Sequence, residues 1–259
     1  MLKKIFCYDF KNLGKKLLPI LLGGLACGIL GLVASLLLTR VSEAASLGVG
    51  TIWVISFLGC FALSIYASIV TFTYYYRKFF TDEGYLTHMF PASVHTQFLA
   101  KVLSGSIFWL LSEIVLTIGL IATIALPAKE LFDFVGINVS SIADISFSVT
   151  AIPSLIFSFL SLIISPVQSV VLIFTAITLG SLSFKKRKVG GSILFYFICN
   201  IAVSTATSFV ETIVYYALPS NQMIIDIVSM ATSLVLSIAV IVVGYLLSTH
   251  MLSTKLNLE

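Results

Sequence analysis

LLPILLGGLACGILGLVASLLLT, from Leu17 to Thr39, runs for 23 residues without a charged side chain. An α-helix of that length rises about 35 Å, enough to cross a hydrocarbon layer of about 30 Å. It also exceeds the roughly 7–15 apolar residues of a cleavable leader, so the stretch reads as a retained membrane anchor although Lys15 and Lys16 precede it. Five further apolar stretches follow at 50–76, 102–126, 154–184, 192–218 and 223–247. The fold class expected is therefore an all-α integral membrane protein with six transmembrane helices in one domain, residues 1–259. Composition agrees: 59% of the 259 residues are hydrophobic and 10% charged, against about 45–50% and 25% in soluble domains.

Basic residues orient the spans, because Lys and Arg collect in cytoplasmic loops. Thirteen fall on one side: Lys3, Lys4, Lys11, Lys15, Lys16, Arg77, Lys78, Lys101, Lys185, Lys186, Arg187, Lys188 and Lys255. Arg40 and Lys129 fall on the other. Both termini are expected in the cytoplasm of a multi-pass cell-membrane protein. Tyr74, Tyr75 and Tyr76, just before Arg77, suit an aromatic belt at that interface, and Trp53, Tyr215 and Tyr216 suit the opposite one. Residues 127–153 form the largest external loop, mildly acidic through Glu130, Asp133 and Asp144, and too short for a folded domain. It includes a sequon, Asn138-Val139-Ser140, a pattern that also arises by chance.

Residues 1–16 read as an interfacial amphipathic helix. Leu2, Phe6, Phe10, Leu13 and Leu17 recur at spacings of 4, 4, 3 and 4, with Lys4, Lys11 and Lys15 opposite them to meet anionic headgroups. The net charge of +4 is too small to suggest nucleic-acid binding. Cys7, Cys27, Cys60 and Cys199 form no C-x-x-C pair and suggest neither a disulfide framework nor a metal site. No Walker loop surrounds Gly14-Lys15, and no H-E-x-x-H motif occurs. The chain reads as no enzyme; if ATP powers it, another chain performs the hydrolysis.

Polar residues inside the spans are the candidates for function. Ser106, Glu113 and Thr117 share a face of the third span; Ser161, Ser165, Gln168 and Thr175 share one of the fourth, around Pro166; Asn200, Ser204, Thr207 and Glu211 share one of the fifth. An ionised side chain at mid-span costs about 2.5–3.5 kcal/mol on insertion scales. Glu113, Thr117, Gln168, Asn200, Ser204, Thr207 and Glu211 are therefore the residues expected to line a substrate path, or else to join helices by hydrogen bonds. Gly24 with Gly28, and Ser229, Ser233 and Ser237, are small-residue faces that suit close helix packing.

The connection between the second and third spans, residues 78–98, has the most individual sequence. Thr81 can cap a short helix with Asp82 and Glu83 in its first turn, Pro91 ends it, and Ser93 can cap the next helix. Tyr85, Leu86, Met89 and Phe90 are too apolar for an unaccompanied cytoplasmic segment. The run Phe80-Thr81-Asp82-Glu83-Gly84-Tyr85-Leu86-Thr87, with Pro91-Ala92-Ser93 and Lys101 beyond, resembles permease subunits of bacterial ABC-2-type ABC transporters, especially those of Firmicutes. The motif covers about twenty residues and the six-span layout covers the chain. The resemblance implies a coupling helix that docks on a separate ATPase subunit through Thr81, Asp82, Glu83, Gly84, Tyr85 and Leu86. It further implies a second permease copy, either a homodimer or a paired permease, with ATP and Mg held by the ATPase, and export of a substrate. The alternatives are an ATP-independent secondary transporter using Glu113 and Glu211 to carry protons, and a membrane immunity or scaffold protein.

Overall fold

The computed structural model describes residues 2–38, 43–81, 84, 93–124, 152–184, 188–217 and 222–254. They form six long helices: α1 (Leu2–Leu38), α2 (Glu43–Phe80), α3 (Val94–Ile124), α4 (Ile152–Ser183), α5 (Lys188–Ala217) and α6 (Gln222–Thr254). Each contains a window long and apolar enough to cross a bilayer. Large aliphatic and aromatic side chains cover the outside, among them Leu22, Ile55, Phe159, Ile201 and Val235, as a lipid solvent requires. The chain is an all-helical protein of multi-pass membrane type. Lys129, the sequon and nearly all of loop 127–153 lie outside the described residues, as do Arg40, Lys185, Lys186, Arg187 and Lys255.

Two expectations change at the amino end. No break separates a surface helix from the first span, because α1 is a single helix of 37 residues with Pro19 inside it. The stripe expected to face lipid instead meets protein at Leu13 and Leu17, which are 1% and 2% exposed. Periodicity locates an apolar face without revealing whether hydrocarbon or another helix covers it.

The chain divides into two compact units. One comprises residues 1–13, 71–107 and 148–259; the other comprises 14–70 and 108–147. In the first, α4 packs against both α5 and α6. Gly244 of α6 lies against Val171 and Thr175 of α4, and the Ser192 hydroxyl of α5 donates to the Ile177 carbonyl at 3.4 Å. Tyr75 stacks on Phe174 with centroids 3.8 Å apart, and Phe98 meets both rings edge-on. All three are fully buried and join α2, α3 and α4 through large apolar surfaces.

The second unit is built on small residues. A methyl group placed on Gly28 of α1 would lie 2.9 Å from the Cα of Gly119 in α3, and one on Gly24 would lie 3.1 Å from Val115. The Gly24/Gly28 face is thus used within the chain, where it allows two backbones to touch. Between lipid-soluble helices such contact supplies dispersion that no hydrophobic driving force replaces. Gly28→Leu is expected to destabilise the purified protein by about 1–3 kcal/mol through overpacking, read as a lowered thermal midpoint in detergent. Gly50→Leu, at a position with open space around it, should leave the midpoint unchanged; equal midpoints for both variants would refute the contact.

Candidate functional site

In the first unit, one carboxylate draws three helices together. Asp9 of α1 is 1% exposed; its Oδ1 accepts a hydrogen bond from the Tyr74 hydroxyl of α2 at 2.7 Å, and its Oδ2 faces Lys101 Nζ of α3 at 3.0 Å. Helical phase explains the placement. Asp9, Leu13 and Leu17 recur every fourth residue, so the acid stands on the buried face of α1. Lys101 also lies 5.2 Å from the centroid of the Phe79 ring, a cation–π contact that returns some of its lost hydration. Lys78 reaches over Tyr8 and Tyr74 at 5.6 and 6.0 Å.

This network brackets the α2–α3 connection. Tyr74 and Phe79 precede it; Phe98 and Lys101 follow it. On the near side, the Thr81 hydroxyl donates to the Arg77 carbonyl at 2.6 Å, and the Gly84 N–H donates to the Thr81 carbonyl at 2.7 Å. Thr81 therefore finishes α2 with the proton of its hydroxyl, while Asp82 and Glu83, the first turn of the helix it is expected to cap, lie outside the described residues. A freed carbonyl in the last turn is the nearer partner. A Cβ on Gly84 would lie 2.5 Å from the Phe79 carbonyl oxygen, so glycine permits this turn sterically. On the far side, Ser93 caps α3 as its sequence suggests: the Thr96 N–H donates to Ser93 Oγ at 3.3 Å, and the Gln97 N–H donates to the Ser93 carbonyl at 3.1 Å. The remaining docking candidates, Asp82, Glu83, Tyr85 and Leu86, lie outside the described residues, together with Met89 and Phe90.

The expected path residues fall into separate groups. Glu113 and Thr117 belong to the second unit. Glu113 is half-buried and accepts a hydrogen bond from Trp109 Nε1 at 3.0 Å, while the exposed Thr117 donates back to the Glu113 carbonyl. A cavity of about 20 Å³ in that unit is lined by Gly24, Cys60, Ser64, Ser112 and Val115, a volume that suits one water molecule. Gln168, Asn200, Ser204, Thr207 and Glu211 belong to the first unit. Gln168, Asn200 and Thr207 are half-buried; Ser204 and Glu211 are exposed. Along α5, Asn200 donates to the Tyr196 carbonyl, Ser204 to Ile201 and Thr207 to Val203, so the stripe satisfies these donors within its own helix. Among the described residues no group of three or more His, Cys, Asp and Glu side chains could hold a metal ion.

Asp9, Tyr74 and the pairing of Lys101 escape spacing arguments, since a tyrosine and a lysine at span ends read as interfacial residues. The available signal is Asp9 itself, the lone acid among the first 42 residues and in phase with the apolar face. Compared with protein-family models, curated proteins and solved structures, the chain finds no match.

Breaking a buried ion pair from one side costs about 3–5 kcal/mol, whereas exchanging both partners for apolar residues is often neutral. Asp9→Asn and Lys101→Met are each expected to lower the thermal midpoint strongly, and Asp9→Leu with Lys101→Met to recover most of the loss. Additive losses in the double variant would show that the two side chains do not act as a pair.

Proposed function

We propose that this chain is the membrane-spanning permease subunit of an ABC-2-type transporter, driven by a separate ATPase. The supporting observation is the Asp9–Tyr74–Lys101 network, which braces both flanks of the α2–α3 connection against α1. A segment that transmits work needs stiff attachments, and here one carboxylate and a buried aromatic core provide them. The motif from Phe80 to Ser93 occupies that connection.

In this reading the connection lies in the cytoplasm with both termini. Asp82, Glu83, Tyr85 and Leu86 enter a groove on the ATPase, with Thr81 and Gly84 setting the turn that presents them. ATP and Mg bind the ATPase, whose closure displaces the connection and biases the spans between two accessibilities. The chain has no hydrolytic role of its own. Two permease copies assemble with two ATPases and export a substrate across the cell membrane, with Glu113, Thr117, Gln168, Asn200, Ser204, Thr207 and Glu211 as the residues available to polar cargo.

The test is co-purification of the tagged chain with an ATPase encoded beside it. Glu83→Ala with Tyr85→Ala is expected to reduce recovery of the ATPase at least tenfold at an unchanged thermal midpoint, and Gly84→Val to do the same by opening the turn. Full recovery with both variants would overturn the docking role. Transport in vesicles that follows a pH gradient without nucleotide would overturn the dependence on ATP.

A further inference from the structure

The face of α1 opposite Asp9 points to a ligand that the permease reading does not need. Asp9 is the lone acidic residue in the first 42 positions, and both its oxygens are engaged inside the protein, by Tyr74 and by Lys101. The charged side chains left on the outer surface of this part of α1 are all cations: Lys3, Lys4, Lys11, Lys15 and Lys16 are exposed, beside the uncharged Cys7 and Tyr8. At about 100° per residue, Lys4, Lys11 and Lys15 lie within about 40° of one another and about 180° from the buried positions around Leu13.

The same face changes character at one place. Following the outward phase beyond Lys15, the next side chains are Leu18, Leu22, Ile29 and Val33, exposed by 54%, 62%, 63% and 45%. One uninterrupted helix therefore displays a cationic stripe that turns directly into an aliphatic one. The turnover marks where water and headgroups give way to hydrocarbon. With a rise of 1.5 Å per residue, Lys15 stands about 5 Å and Lys11 about 10 Å before Leu18 along the axis. Headgroup layers are about 5–8 Å thick on each side of the hydrocarbon, and a lysine stem extends its ammonium several ångströms toward its preferred layer. Lys3 and Lys4 stand about 20 Å away, beyond direct headgroup contact.

We infer that Lys11 and Lys15 form a binding surface for the phosphates of anionic phospholipids in the adjoining leaflet. Withdrawal of Asp9 into the core removes the one carboxylate that would compete for them on this segment. The inference needs only that α1 crosses the bilayer, and it stands whether or not an ATPase drives the chain.

The full chain, purified in neutral detergent, is titrated with phosphatidylglycerol and with phosphatidylcholine, and bound lipids are counted by native mass spectrometry. A lysine near an anionic surface contributes about fivefold in affinity. Lys11→Gln with Lys15→Gln is expected to weaken phosphatidylglycerol binding about 30-fold and to leave phosphatidylcholine unchanged. Lys3→Gln with Lys4→Gln, the same charge change farther along the helix, should shift it no more than about threefold, the distance exceeding a Debye length of about 8 Å. Lys11→Arg with Lys15→Arg should bind like the parent. If the glutamine pair does not fold, each single variant carries the test at about fivefold. Equal losses at the two lysine pairs would reduce the effect to net charge and overturn the inference. A parent without preference for phosphatidylglycerol would overturn it too, leaving the face to an acidic protein partner.

Discussion

Asp9 is the constraint around which the neighbouring ends of three helices are organised. A carboxylate 1% exposed is tolerable only when its charge is answered and its lone pairs are filled. Lys101 answers the charge, Tyr74 fills a second oxygen, and the ammonium rests against the Phe79 ring. The acid and its two bonding partners come from three different helices, so the carboxylate cannot be satisfied unless α1, α2 and α3 hold one register. Apolar side chains of equal volume would pack as densely and would tolerate slippage by a turn. Answering one carboxylate from two other helices specifies an arrangement, whether or not the pair adds net stability.

Length explains why such a device is needed on α1. Its 37 residues extend about 55 Å, whereas a bilayer with its headgroups is about 40–45 Å thick. A helix longer than the bilayer is thick must tilt or carry an end beyond the lipid, and at such an end the hydrophobic effect and water return as solvent forces. Asp9 lies in the lysine-rich half of the helix. The aromatic cluster of Tyr75, Phe79, Phe98 and Phe174 nearby resembles the interior of a soluble protein, with rings stacked and edge-on. The Gly28–Gly119 contact instead follows the packing rules of lipid-embedded helices, with close approach in place of large side chains. Two packing styles, large stacked rings and close backbone approach, therefore coexist in one chain.

How much of this can be read from sequence depends on whether the signal is periodic or local. Six spans are legible because a run of about 20 apolar residues is too long for a soluble core helix and matches the thickness of a bilayer. Their ends are less so: α2 begins at Glu43 and α3 at Val94, earlier than apolar runs starting at 50 and 102 suggest, because helices continue into polar flanks. Ser93 is legible as a cap from its position after Pro91, while Thr81 is ambiguous because a Thr hydroxyl can serve the helix behind it or the one ahead. The small face of Gly24 and Gly28 is recognisable, but its partner Gly119 is not, since composition does not say which helix lies opposite. Asp9 escapes for a different reason. A lone acid among lysines resembles a solvated surface residue until its phase against Leu13 and Leu17 is counted.

The polar stripes show where spacing loses its power to discriminate. Ser204 and Thr207 share a face of α5, and their hydroxyls donate to carbonyls three or four residues back. A hydroxyl satisfied in that way can face lipid at little cost, so a row of Ser and Thr does not by itself require a watery path. Asn200 uses one amide proton on Tyr196 and retains further polar capacity. Glu211, exposed one turn before Tyr215 and Tyr216, has an acid group that no backbone acceptor can neutralise. Along α5 the polar capacity beyond the helix's own backbone ladder therefore lies with Asn200 and Glu211, while Ser204 and Thr207 add small size and easy packing. In the second unit Glu113 accepts the Trp109 N–H one turn away. Carboxylates and amides have a bonding capacity that exceeds what one helix can supply, which sets these side chains apart from the hydroxyls around them.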